Sequence, residues 1–247
     1  MTLYIIGIGL CDGKDITLRG LEALKASKKV YMESYTSIMQ VRLEDLEKSY
    51  GVSIAPLGRK SIESDSDKLI ESSKSLDIAI LVPGDPMCAT THISLVMRAG
   101  ELGAKVGIIH NASIVSAIGA VGLEVYKYGR IISIPFHNKE VTAPVEAYRK
   151  NNSIGLHTLF LLDLEPGKGR FLSISDAVQY LINQGIERTT LAVGCARIGS
   201  KDEKISVDNL GDIGTHEYGK PPFCLILPGK LHFMEEDALN AKRKFKY

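Results

Sequence analysis

The chain has 247 residues, 45% of them hydrophobic, with 30 basic and 29 acidic side chains and a net charge of +1. That length holds one large domain or two smaller ones, each with its own core. The charge balance gives no global field to hold a nucleic acid or an anionic membrane surface, and no run approaches the ~18 apolar residues of a membrane span.

"MTLYIIGIGL" is apolar but lacks the basic start and small-residue cleavage site of a signal peptide, so it reads as a first strand of a cytoplasmic protein. Cys11, Cys88, Cys195 and Cys224 form no CxxC pair, which argues against a zinc site or a disulfide framework. They are expected to be buried or half-buried thiols. The histidines show no HxxxH or HExxH spacing, so no metal is expected. The C-terminal "AKRKFKY" reads as a solvated helix end.

"LYIIGI" is a buried strand, and leucines at 18, 21 and 24 put one apolar face on a helix over "TLRGLEALKAS", with Thr17 as its N-cap. "KVYMES" is a second strand, "RLEDLEKSYG" a helix ended by Gly51, "SIAPLG" a strand and "SDKLIESSKSL" a helix. "DIAILVP" is a strand without polar alternation, followed by a helix over "ISLVMRAGELG" and a strand over "KVGIIH". Alternating strands and helices with continuous apolar strands predict a mostly parallel sheet covered on both faces. "NASIVSAIGAVGLEVYKYG" is expected to form a small-residue helix joining two halves. Beyond it, "RIISIPF", "HTLFLLDL", "TLAVGCARI", "KISVDN" and "FCLILPG" are strand-like. "APVEAYRKNN", "SISDAVQYLINQG" and "LHFMEEDALNAKRK" are helix-like. Here the sheet is expected to be mixed. The fold class is α/β, with one α/β domain over 1–112 and a second over 113–247.

Five strand exits attract attention. In "IIGIGLCDGKD", Gly7 and Gly9 fit a dinucleotide-binding fingerprint, but its third glycine position holds Asp12. Two acids, Asp12 and Asp15, stand where a pyrophosphate needs bare N–H groups, although Glu33 ends the second strand as a ribose-binding acid would. In "VPGDPMCATTH", Gly84 permits a sharp exit and Pro86 keeps Asp85 extended, at the strand end where open α/β sheets place ligands. Thr90 or Thr91 can cap the following helix. A plain turn and a binding loop both fit this pattern. In "HNASIVSAIG", Ser113 can cap a helix and small side chains allow close approach, to a ligand or to a packed helix. Asp163 and Arg197, at two further exits, read as structural ion-pair residues. There is no GxSxG elbow and no GxxxxGK[ST] phosphate loop. A crevice lined by loops of little charge suits a small, partly apolar organic cofactor.

Read together, "YIIGIGLCDGKDITLRGLEALKASKKVYMESYTS", "VPGDPMCATTH", "HNASIVSAIGAVGLEVYKYG", "GLHTLFLLDL" and "PPFCLILPGKLH" resemble the diphthine synthases, a branch of the tetrapyrrole-methylase fold. The Gly-Asp-Pro turn belongs to the whole fold. "DIT-x-x-GLE", "E-x-YTS" and "GDP-x-x-ATTH" are narrower, and the resemblance spans the chain in order.

The resemblance implies transfer of methyl groups from S-adenosylmethionine to the amino group of a modified histidine, the diphthamide precursor, on translation elongation factor 2. Three transfers give trimethylated diphthine; a eukaryotic branch also esterifies the carboxylate. The shorter, archaeal-type chain implies the three-methyl product. It further implies a homodimer, no nucleic-acid partner, and a donor cleft between the two domains. The cofactor contacts carried over by position are Leu10, Asp85, Cys88, Ser113, Ile114, Leu162, Ile198 and Phe223. Cys88 stands where relatives commonly have valine or isoleucine, and Phe223 where they usually have histidine. No catalytic residue is assigned, because a sulfonium is already an activated methyl donor. The alternatives are a corrin- or porphyrin-precursor methyltransferase, against which the loop "GLCDGKD" counts, and a non-enzymatic nucleotide-binding module.

Overall fold

The chain divides into two units, Met1–Val115 and Ser116–Tyr247, and the computed structural model describes residues 1–244. The first unit alternates β1 (Thr2–Gly7), α1 (Leu18–Ala26), β2 (Lys29–Glu33), α2 (Leu43–Tyr50), β3 (Ala55–Leu57), α3 (Arg59–Glu63), α4 (Asp67–Ser73), β4 (Ile78–Val82), α5 (Ile93–Glu101) and β5 (Lys105–Ile109). Its five strands lie in the order β3-β2-β4-β1-β5, and every pairing is parallel. All five residues of β4 are fully buried, which explains the missing polar alternation: both faces of this strand are covered. Ile78, Ile80 and Val82 pack with Leu3, Ile5 and Leu95. Ala79 and Leu81 pack on the other face with Ile6, Ile8, Leu24 and Leu46. Because the sheet is parallel, β1, β4 and β5 all send their C-terminal ends to one edge.

Local signals behave as their chemistry requires. Thr17 caps α1, its side chain accepting from Gly20 N at 3.0 Å, and Gly51 ends α2 in the left-handed region. Neither Thr90 nor Thr91 caps α5. His92 holds that position, Thr90 Oγ1 donates to Pro86 O at 2.6 Å, and Thr91 Oγ1 donates to Glu63 at 2.7 Å. The expected long helix after β5 is also absent. α6 (Ile114–Ala117) is one turn, followed by 3-10 turns at Ile118–Val121 and Val125–Lys127. Glycines at 119 and 122 weaken a helix here, and Gly122, at φ 96° in the left-handed region, ends the turn over Ile118–Val121.

The second unit contains β6 (Ile132–Ile134), α7 (Ala143–Ser153), β7 (Thr158–Leu162), β8 (Leu164–Glu165), β9 (Arg170–Phe171), α8 (Ile174–Asn183), β10 (Leu191–Ala196), β11 (Lys204–Asn209), α9 (Leu210–Ile213), β12 (Phe223–Leu227) and α10 (Phe233–Lys244). Its main sheet runs β11-β10-β12-β7-β6. Only the β6–β7 pairing is parallel, so the sheet is mixed. Phe160, Leu225, Leu181 and Ala177 sit at the centre of its core. Cys195 and Cys224, 29 positions apart, are cross-strand neighbours on β10 and β12, and both are buried as free thiols. The end of "AKRKFKY", residues 245–247, lies outside the described residues.

Glu235, in the first turn of α10, is 1% exposed. It accepts from Glu124 N at 2.9 Å, His157 Nε2 at 2.9 Å and His232 N at 2.8 Å, and it pairs with Lys127. Burial opposes its charge, but Lys127 and the surrounding donors outweigh burial and hold the carboxyl down at about 2. An unfolded glutamate titrates at about 4.3. The folded value is the lower, so this contribution to stability is complete above that unfolded value and is lost as pH falls toward about 2. Chemical denaturation should therefore show Glu235→Gln to be less stable at neutral pH, with a flatter decline on acidification. Parallel pH curves for variant and wild type would contradict this.

Candidate active site

Three strand exits of the first sheet are bound together by short polar links. After β1, Ile8 N donates to Val82 O at 2.9 Å. Gly9 and Gly84 then form an antiparallel bridge, with Gly84 N to Gly9 O at 2.7 Å. Gly84 has φ 77°, a conformation that glycine adopts without strain. The approach is close enough that a Cβ on Gly7 would lie 2.6 Å from Gly84 O and 2.9 Å from the Asn111 Cβ. At Gly84, by contrast, a Cβ would extend into the space beside Ala112 and Ser113, with nothing nearer than 3.9 Å. Ala89, further along the same turn, also has positive φ, at 57°, an uncommon conformation for a residue with a Cβ.

Asp85 lies within this junction, 5% exposed. Its Oδ1 accepts from Met87 N at 2.8 Å. Its Oδ2 accepts from the Asn111 backbone N–H at 3.0 Å and from His110 Nδ1 at 2.8 Å. Burial works against the charge, but the Met87 and Asn111 N–H groups and His110 more than compensate, and the carboxyl is held below its usual range. The Asn111 side chain completes the junction. Its Nδ2 donates to Gly7 O and to Asp15 O, both at 2.9 Å. Asp15 in turn accepts from Leu10 N at 3.1 Å and Cys11 N at 2.7 Å.

This wiring bears directly on what the rim can bind. The Leu10, Cys11, Gly9 and Gly84 amides that a pyrophosphate would need already have acceptors within the protein. Glu33 is not available to a ribose either. It is buried at the end of β2 and accepts from Thr36 N at 2.6 Å, from Tyr35 N and from the Thr36 hydroxyl. The acid of "E-x-YTS" thus folds its own turn.

The residues singled out in the sequence fall into two groups. Leu10, Asp85, Cys88, Ser113 and Ile114 lie on the exits of the first sheet. Leu10, Cys88 and Ile114 are half-buried and Ser113 is buried, with its Oγ accepting from Val115 N at 3.2 Å. Leu162, Ile198 and Phe223 belong to the second unit. There, Cys224 pairs with Leu161 and Phe223 with Ala196, so the antiparallel register brings the three to one end of the sheet. Leu162 and Ile198 are buried and Phe223 is half-buried. Arg197 and Asp163 hold loops. The Arg197 guanidinium donates to Tyr218 O at 2.7 Å and Asp202 O at 2.8 Å and pairs with the Asp202 carboxylate, while Asp163 accepts from Phe136 N at 3.2 Å. Sequence reasoning did not single out His110, Asn111 or the lock formed by Asp15. The partners of His110 and Asn111 lie far away along the chain, whereas Asp15 locks amides only four and five positions before it.

Residues 2–214 match the family described as Tetrapyrrole (Corrin/Porphyrin) Methylases. A probable diphthine methyl ester synthase of Arabidopsis thaliana is 42% identical, over 96% of this chain and 97% of its own. A diphthine synthase of Methanocaldococcus jannaschii is 40% identical, over 96% and 97%. A crystal structure of a diphthine synthase superposes with a TM-score of 0.92 at 38% identity, covering 98% of this chain and 95% of its own. The chain belongs to the tetrapyrrole methylases and is a methyltransferase. Its place within them is among the diphthine synthases, the branch to which its full-length relatives belong.

The junction predicts a measurable cost. Asp85→Asn replaces one acceptor oxygen by an N–H₂ group facing buried donors, so urea denaturation at neutral pH should show a loss of about 1–3 kcal/mol. A loss below about 0.5 kcal/mol, as at an ordinary surface position, would mean that Asp85 does not hold the exits together.

Proposed function

We propose that this chain transfers methyl groups from S-adenosylmethionine to the amino group of the modified histidine on translation elongation factor 2, the diphthamide precursor. The observation that carries this reading is the extent of the likeness. Relatives named for diphthine chemistry match nearly all of this chain and nearly all of themselves, far beyond the Gly-Asp-Pro turn that the wider fold shares. The donor suits the rim. It has no phosphate, so it makes no demand on amides that Asp15 and the glycine bridge already occupy. The proposed donor contacts are Leu10, Asp85, Cys88, Ser113 and Ile114 on the first sheet and Leu162, Ile198 and Phe223 on the second. Asp85 contributes by holding the loops that carry its neighbours, since its own oxygens face inward.

The sulfonium supplies an activated methyl group, so the protein has to hold the attacking nitrogen in line at about 3–3.5 Å and keep water away. We propose three transfers, giving trimethylated diphthine. Gaps within the alignments support that product over a methyl ester. The alignment with the plant methyl ester synthase extends over 269 positions and that with the archaeal diphthine synthase over 250, each against 96% of this chain. This chain therefore lacks segments present in the ester-forming relative. An elongation factor works in the cytoplasm, which supports a cytoplasmic enzyme, and the family resemblance supports a homodimer.

Two measurements test the reading. Incubated with S-adenosylmethionine and the modified factor, the enzyme should add three methyl groups to the factor by mass spectrometry. A fourth, hydroxylamine-labile methyl group would instead mark an ester product, and methylation of a tetrapyrrole but not the factor would overturn the acceptor. In thermal-shift assays S-adenosylhomocysteine should raise Tm where NAD and ATP do not. Asp85→Ala should remain folded with weaker S-adenosylhomocysteine affinity, and unchanged affinity would remove Asp85 from the donor site.

A further inference from the structure

The proposed reaction leaves one chemical task without a residue. An aliphatic amino group in water is mainly an ammonium ion, which has no lone pair with which to attack a methyl group. A proton has to leave before each transfer, and a positioned side chain can take it.

Among the described residues, three histidines pair with a carboxylate: His110 with Asp85, His157 with Glu235 and His216 with Asp208. His157 is fully buried, and both of its nitrogens are occupied. Nε2 meets Glu235, and Nδ1 accepts from Gly229 N at 3.0 Å. His216 belongs to the second unit, and its Nε2 is committed to Asp208 at 3.1 Å. His92, in the Gly-Asp-Pro turn, is fully buried, and its Nδ1 contacts Pro86 O at 3.1 Å.

His110 differs from all three. It follows β5 at the strand exit, on the junction that carries Leu10, Asp85 and Ser113. Its Nδ1 lies 2.8 Å from Asp85 Oδ2, and its side chain is 68% exposed while that of Asp85 is 5% exposed. An ionised carboxylate only accepts hydrogen bonds, so Nδ1 carries the proton and Nε2 holds the free lone pair. A ring tethered through Nδ1 to a buried acid, and mostly exposed, presents its far edge, with Nε2, to the outside. A buried carboxylate that fixes the tautomer and orientation of an accessible imidazole is the arrangement general-base catalysis requires.

We infer that His110 is the general base of methyl transfer, with Asp85 as its positioning residue, acting on the ammonium group of the acceptor. The inference rests on the acceptor assignment made above. In each cycle His110 Nε2 takes a proton from the ammonium nitrogen. The freed lone pair forms the N–C bond, and the C–S bond breaks with its electron pair passing to sulfur. The sulfonium becomes a neutral thioether, and the imidazolium returns its proton to solvent. Three cycles release three protons and leave a quaternary nitrogen that has none to give. Among the described residues, Asp85, from the β4 exit, is the charged group that pairs with the ring, and the Asn111 N–H from the ring's own segment shares Oδ2.

The test compares wild type with His110→Asn, which keeps a donor for Asp85 but lacks Nε2. S-adenosylhomocysteine affinity, measured by calorimetry, and Tm should stay near wild type. Single-turnover transfer to the modified factor should slow roughly 100- to 10,000-fold at neutral pH, with the deficit shrinking as pH rises and solvent deprotonates the amine. In the free wild-type protein, ¹⁵N spectra of the neutral His110 ring should show a protonated Nδ1 and a bare Nε2. A His110→Asn enzyme with wild-type rate and pH profile, or a ring protonated at Nε2, would overturn the base. A wild-type enzyme that binds S-adenosylhomocysteine yet methylates nothing on the modified factor would overturn the acceptor assignment, and the base with it.

Discussion

Asn111 stands where three strand exits meet. Its side-chain amide holds Gly7 O and Asp15 O, while its backbone N–H donates to Asp85. One residue thus joins the loop after β1, the Gly-Asp-Pro turn after β4 and its own segment after β5. The parallel sheet brings these ends together, but it does not specify loop shape. That shape comes from a few polar groups in a small, mostly buried volume, where each donor left without a partner carries a real cost. The Gly9–Gly84 bridge and the inward carboxylates of Asp15 and Asp85 belong to the same system.

The chemistry follows from how these groups are used. Several rim amides and acids are spent on the protein itself, so the rim offers no pyrophosphate cradle of the kind a glycine-rich loop builds in a dinucleotide-binding fold. A methyltransferase can work with such a rim. Its donor is already activated, and positioning can supply much of the acceleration. The exception to this inward-facing pattern is His110. It is attached to the junction through Asp85 yet largely exposed, and in the inference drawn above it is the group that exchanges protons with the substrate.

The sequence was most informative where one residue type has one physical consequence. Unbroken apolar runs such as Ile78–Val82 implied a strand buried on both faces, and that strand is completely buried. Thr17 and Gly51 marked the helix ends they occupy, and Asp15, one of the acids in the first loop, accepts from the amides of that loop. Meaning was lost where it depends on distant partners. Asp85 meets His110 across 25 positions and Asn111 meets Gly7 across 104, and nothing local to either residue announces the pairing. Glu33 fitted a ribose-binding acid by position, but its carboxylate closes its own turn. Thr91 looked like a helix cap because hydroxyls favour that role, yet Glu63, on a helix not anticipated from the pattern, takes its hydrogen bond. Cys195 and Cys224 showed no pattern until antiparallel register set them side by side.

The claim that the three exits form one unit is most directly tested by amide hydrogen exchange on Asn111→Ala. If Asn111 couples the loops, exchange should quicken together at Leu10 and Cys11 in the first loop, at Met87 in the second and at residue 111, while β4 keeps its protection. Faster exchange confined to residues 110–112, with Leu10, Cys11 and Met87 unchanged, would contradict the account.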